Sequence, residues 1–178
     1  MPENHGLSSA FHEPNSDLNL PFRCGEEFEI NEVLEDTWTL LVGNSDASEW
    51  PATNRVGISR NGAVVFGLAP DQWLIAGWHS GSPGMYTTDH SHAWVVLRVI
   101  GVRASDILQA LCPVDLHPSE FGDRMCFQTS FRGNRVLVAR TQGISTTNSF
   151  DLVISRSSAR AVLEDISDMA TRFRPFAS

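Results

Sequence analysis

Residues 93 to 113, AWVVLRVIGVRASDILQALCP, constrain the fold more than any other stretch of the chain. Val95, Leu97 and Val99 recur at every second position, the spacing that lines one face of a β-strand. Gly101 breaks that strand. Directly after it, Ala104, Ile107, Leu108 and Leu111 fall at i, i+3, i+4 and i+7, the apolar stripe of a short helix that Pro113 stops. The strand therefore passes directly into a short helix.

The remaining patterns extend this arrangement. RVGIS, a tight turn at Asn61-Gly62, AVVFGL, a turn set by Pro70 in APDQ, and WLIAGW form an antiparallel meander. CFQTSF and RVLVART flank Arg132-Gly133-Asn134, where Gly133 and Asn134 are expected to supply the positive φ of a hairpin turn. FDLVIS is a further strand after a Thr/Ser-rich loop. A last helix is expected from Ser157 to Phe173, with Ala159, Val162, Leu163, Ile166, Met169, Ala170 and Phe173 on one face. Ser157 or Ser158 would cap it, Arg172 suits its C-terminal dipole, and Pro175 bars continuation. The expected class is α+β: a mostly antiparallel sheet with helices packed on one face.

With 178 residues, 42% of them hydrophobic, the chain suits one domain with a real core. That domain is expected over residues 26–178. Residues 1–25, rich in Pro, Asn, Ser and His without periodicity, read as an extended or disordered leader. The longest apolar run is interrupted by Arg98, and the N-terminus lacks the basic and apolar regions of a signal peptide. These features point to a cytoplasmic protein. Cys24, Cys112 and Cys126 form no C-x-x-C pair, which suits a reducing compartment, with the three as small buried apolar residues.

Charge is unevenly placed. Residues 1–50 hold 11 of the 21 acidic residues against one arginine, a net charge of −10, and residues 51–178 carry +2. This argues against nucleic-acid binding and reads as a solvated arm or a surface facing a basic partner. All 13 basic residues are arginine, which removes Schiff-base catalysis and the P-loop lysine, since both need a primary amine.

Two stretches gather chemistry-bearing groups. LCPVDLHPSEF places Cys112, Asp115, His117 and Glu120 within nine positions, but a zinc site needs further ligands that the local spacing does not offer. In the structural reading Cys112 sits on the last helical turn and completes the apolar stripe, while Asp115 fixes a turn through its side chain. DHSH would put His90 and His92 on one face of a strand, with Ser91 on the other. No G-x-S-x-G elbow and no G-x-G-x-x-G loop occurs. No catalytic, cofactor-binding or metal residue is assigned. The five tryptophans (Trp38, Trp50, Trp73, Trp78 and Trp94) are expected mostly in the core, with one or two at an interface.

Taken in order, LAPDQWLIAG, DHSHAWVVLRVIGVRASDILQALCPVDLHPSEF, CFQTSFRGNRVLVAR and FDLVISRSSARAVLEDI resemble the gamma subunit of heterotetrameric sarcosine oxidase. The family pattern runs close to L-G-P-D-E-W-L-L, D-x-S-H, G-x-x-A-x-x-x-L, P-x-D-L-x-P-x-x-F and R-S-x-A. The resemblance spans roughly residues 63 to 170. Ala69 stands where glycine is usual, and Gln72 where glutamate is usual. That subunit is in turn similar to the folate-binding domain of the glycine-cleavage aminomethyltransferases, whose catalytic aspartate has no match in this chain. The resemblance implies an aminomethyltransferase-like fold and a non-catalytic subunit of a complex that oxidatively demethylates sarcosine or a related N-methyl amine. It implies that PVDLHPSEF is a helix-exit turn. It also implies alpha, beta and delta partners, the chain packing on alpha's aminomethyltransferase-like domain, with FAD, FMN, NAD, tetrahydrofolate and zinc held by those partners and none by this chain. The alternative is a stand-alone folate-binding or aminomethyl-transfer protein.

Overall fold

The computed structural model describes residues 20–25, 28–33, 37–43, 50–77, 84–140 and 148–173. Eleven strands and two α-helices occur among them: β1 (Phe22–Arg23), β2 (Phe28–Val33), β3 (Trp38–Val42), β4 (Val56–Ile58), β5 (Val64–Ala69), β6 (Gln72–Ala76), β7 (Tyr86–Asp89), β8 (Trp94–Gly101), α1 (Ala104–Gln109), β9 (Cys126–Phe131), β10 (Asn134–Ala139), β11 (Ser149–Ser155) and α2 (Ala159–Arg172). They form a six-stranded sheet, β1-β2-β8-β11-β10-β9, and a five-stranded sheet, β4-β5-β6-β3-β7. Every ladder is antiparallel. Of the expected leader, residues 1–19 lie outside the described residues, while β1 falls in its last stretch.

The period-two alternation of β8 explains the layering. Val95, Leu97 and Val99 face the helices with Ala104, Ile107, Leu108, Val162, Leu163 and Ile166. Val96 faces the other way and joins Trp38, Phe66, Leu74, Leu137 and Val153 between the two sheets. The six-stranded sheet is therefore central, with helices on one face and the second sheet on the other, and it is buried on both. The outer face of the five-stranded sheet is covered in part by Trp50, which packs on the buried Trp73 at 5.6 Å between ring centroids. Trp38 is also buried and Trp94 partly so; Trp78 lies outside the described residues.

Three local expectations are corrected. Helix α1 stops at Gln109, so Cys112 lies beyond the last helical turn. The N–H of Leu111 bonds the Leu108 carbonyl at 3.0 Å, a tightened exit, and Pro113 disfavours helical backbone at the residue before it. The positive φ values of the β9–β10 turn belong to Arg132 (46°) and Gly133 (93°), while Asn134 opens β10 opposite Phe131. A two-residue loop needs both central residues in that region, and those are Arg132 and Gly133. Neither Ser157 nor Ser158 caps α2 by a side-chain hydrogen bond, because a 3₁₀ turn over Arg156–Ser158 leads into it. Ser158 is then already near helical backbone, and its hydroxyl bonds Ser155 Oγ at 3.1 Å.

The loop before β4 crosses β5 closely. The N–H of Asn54 bonds the Gly67 carbonyl at 2.8 Å, and the N–H of Gly67 bonds the Arg55 carbonyl at 2.9 Å. A Cβ on Gly67 would lie 2.3 Å from the Ala52 carbonyl oxygen, a backbone atom that cannot swing aside. Gly67→Ala is therefore expected to cost about 2–3 kcal/mol as overpacking. A urea midpoint equal to that of the unsubstituted chain would show that the loop gives way freely.

Candidate functional site

The groups of LCPVDLHPSEF do not converge. Cys112 is buried in the helix-side core, and burial pushes its thiol up from the ordinary range. Asp115 Oδ1 accepts from the N–H of His117 at 2.9 Å and from Gln109 Nε2 at 2.7 Å, tying the loop back to α1. His117 Nδ1 accepts from the N–H of Ser119 at 3.2 Å and lies 2.8 Å from its hydroxyl. The His117 carbonyl accepts from the N–H groups of Glu120 and Phe121, so the segment winds into a turn that seats Leu116 and Phe121 in the core. Among the described residues no three His, Cys, Asp or Glu side chains could share a metal ion.

The D-x-S-H stretch is a clasp between strands. Asp89 closes β7, and its Oδ1 accepts from Ser91 Oγ at 2.6 Å and from the Ser91 N–H at 2.9 Å. The Ser91 hydroxyl in turn accepts from the N–H of Trp38 at 3.3 Å. That serine hydroxyl and backbone N–H, aided by His92 and His90, hold the Asp89 carboxyl below the usual carboxylate range. His90 and His92 sit in the turn before β8, the first half-buried and the second exposed, so they do not share a strand face. This corrects the expected geometry: the aspartate needs two turn residues to wrap its own side chain, and the strand begins after them.

Two charged arrangements carry no complete signature in the sequence. Arg98 and Asp151 oppose each other across β8 and β11. Arg98 Nε and Nη2 reach the two carboxylate oxygens at 2.7 and 2.9 Å, a bidentate pair in which the Asp151 side chain is only 5% exposed. The hydrogen bond to Asp151 raises the Arg98 pKa. The available signal was Arg98 at an even position among inward-facing odd ones, but its partner 53 residues away carries no local mark.

The second arrangement is a cleft of about 450 Å³ lined by Arg55, Val56, Ile58, Val65, Asp123 and Arg124. It lies where β4 meets the turn before β9, joined by the Val56 N–H to the Arg124 carbonyl at 2.7 Å and the Cys126 N–H to the Asn54 carbonyl at 3.0 Å. Arg55, Asp123 and Arg124 are exposed there, with the apolar Ile58 at 65% exposure beside them. Cys126 beneath is fully buried, and burial pushes its thiol up to about 12, so it supplies no nucleophile. The cleft offers charge and apolar surface, without a nucleophile and base in contact.

No protein-family model matches the chain. Over 93 residues, 46% of this chain, it is 34% identical to the sarcosine oxidase subunit gamma of Corynebacterium sp. (strain U-96). The likeness to the gamma subunit holds. The matched stretch spans 45% of that subunit's length. In three dimensions the chain is similar to a chain of the heterotetrameric sarcosine oxidase from Corynebacterium sp. U-96, solved with pyrrole 2-carboxylate. The TM-score is 0.71 at 24% identity, covering 87% of this chain and 90% of that one. It is also similar to the glycine cleavage system aminomethyltransferase T from Bartonella henselae, at a TM-score of 0.58 and 13% identity, covering 82% of this chain and 49% of that one. The aminomethyltransferase-like fold implied by the sequence resemblance is thus the observed one.

Against that fold, the turns at Asp89–His92 and Pro113–Phe121 take their meaning from backbone geometry. Each aspartate satisfies N–H groups two residues on, as a side chain in a tight turn does. Ala69 and Gln72 flank the Pro70-Asp71 turn, where Asp71 takes the positive φ of 58°.

Proposed function

We propose that this chain is the gamma-type subunit of a heterotetrameric, sarcosine-oxidase-type complex that oxidatively demethylates sarcosine or a related N-methyl amine. The observation that carries the reading is the 93-residue match at 34% identity to a gamma subunit. The fold likeness, over nine-tenths of a chain from a heterotetrameric oxidase, supports it. In this reading the subunit is non-catalytic and packs on the aminomethyltransferase-like domain of an alpha subunit. FAD, FMN, NAD, tetrahydrofolate and zinc then belong to the alpha, beta and delta partners, and the complex works in the cytoplasm. No described helix is long and apolar enough to cross a membrane.

The test is coexpression with alpha, beta and delta subunits from the same source, followed by native mass measurement. One copy of this chain is expected in each complex, with amine oxidation and flavin absorbance in the complex and neither in the chain alone. A chain that stays monomeric beside those partners, binds tetrahydrofolate by calorimetry and turns over a methylated amine unaided would replace this reading with the stand-alone transferase.

A further inference from the structure

Arg140 follows β10 and is 9% exposed. Its backbone is fixed by the turn before β9: its N–H bonds the Met125 carbonyl and its carbonyl accepts from the Arg124 N–H, both at 2.9 Å. The guanidinium carbon lies 4.8 Å from the ring centroid of Phe150, which is itself fully buried. Stacking on a ring satisfies the face of a guanidinium and leaves its edge. Nε and Nη2 are both out of reach of solvent and have no hydrogen-bond partner among the described residues. Burial pulls the Arg140 pKa below the ordinary arginine value, and the charge of nearby Asp123 opposes this without forming a contact.

Buried unpaired charge is among the costliest features a fold can hold, and its persistence asks for a partner. The geometry of the free edge says which kind. Nε and Nη2 are parallel donors along one edge, in the guanidinium plane, the fork that takes both oxygens of a carboxylate. The same molecule shows that edge in use, since Arg98 holds Asp151 through Nε and Nη2. The adjacent Asp123 adds negative charge that works against a dianion and leaves a single carboxylate favoured.

We infer that the Nε/Nη2 edge of Arg140 is a receptor for one carboxylate supplied from outside the chain and admitted when the cover over that edge shifts. The carboxylate is either a side chain of a partner subunit or a free small carboxylate. The receptor stands without the assembly reading above, on which only the partner source rests.

The full chain is to be melted in sodium acetate and in sodium chloride at equal ionic strength and neutral pH. Wild type is expected to melt a few degrees higher in acetate. Arg140→Met should lose that gain, and should melt above wild type in chloride because the unpaired charge is gone. Arg140→Lys, which keeps the charge and lacks the fork, should also lose the gain, so the test survives if the methionine variant does not fold. Asp123→Asn should retain it. Equal melting of wild type in both salts, or an equal acetate gain in both Arg140 variants, overturns the receptor. So does loss of the gain in Asp123→Asn, which would make Asp123 part of the site's own pairing. The source is read in the coexpressed complex. Weakening of subunit association by roughly 30-fold or more in the methionine variant assigns the carboxylate to a partner, and unchanged association assigns it to a free small molecule. If wild type recruits no subunit at all, the assembly reading fails while the acetate result still decides the receptor.

Discussion

Leu163→Asp is expected to leave no folded chain at 25 °C. Leu163 is 1% exposed on the face of α2 that meets the central sheet, among Val162, Ile166 and Ala170. Removing the leucine side chain from a packed site costs about 2–5 kcal/mol, and a carboxylate buried there without a partner adds several more. That total, roughly 5–10 kcal/mol, is comparable with the 5–15 kcal/mol by which domains are stable. Two companions separate burial from helix disruption. Leu163→Met keeps the volume and should cost under about 1.5 kcal/mol. Glu164→Ala, on the adjacent exposed position, removes only a surface pair with Arg160 and should stay within about 0.5 kcal/mol. Far-ultraviolet dichroism and the soluble fraction after expression read all three. A cooperative melt in Leu163→Asp near the wild-type temperature would show that this face of α2 is not the buried one.

The success of that helix reading and the failure of others have the same physical origin. The stripe Ala159, Val162, Leu163, Ile166, Ala170 was legible because helix periodicity is local: one turn fixes which residues meet the sheet. The alternation in β8 was legible for the same reason. That Val96, the residue between them, would face a second sheet was not, because a strand buried on both faces differs from a half-buried one only in what covers it. The β9–β10 hairpin was placed correctly and its turn shifted by one residue, since nothing in Arg132 marks it for positive φ. The turn at Asp115 was legible because its partner lies two residues away, whereas DHSH, expected as strand, is wound into a turn by the Asp89 side chain. Arg98–Asp151, the Arg55–Arg124 cleft and the bare edge of Arg140 all depend on pairings across distant strands and were not legible.

The Arg98–Asp151 pair yields an asymmetric expectation. Asp151 is 5% exposed at its side chain and Arg98 26%, so losing the arginine strands the more buried partner. Arg98→Met is expected to cost about 4–5 kcal/mol, the upper end for breaking a buried pair, because the buried carboxylate between the sheets loses its bidentate cation. Asp151→Leu should cost less, about 3 kcal/mol, since the freed guanidinium already reaches water on one side. The double variant should recover most of the loss, as two well-packed apolar side chains replace two paired charges of similar volume. The sign of the pH dependence follows from the raised Arg98 pKa. Its stabilisation is fully present below the unfolded arginine value and is lost only as pH rises through the higher folded one, so Arg98 itself contributes no slope near neutrality. Urea unfolding of the four proteins at one pH closes the double-mutant cycle. Equal costs for the two single variants would mean that burial of the carboxylate does not set the energy of the pair. Simple additivity in the double variant would mean that the 2.7 and 2.9 Å contacts contribute nothing beyond packing.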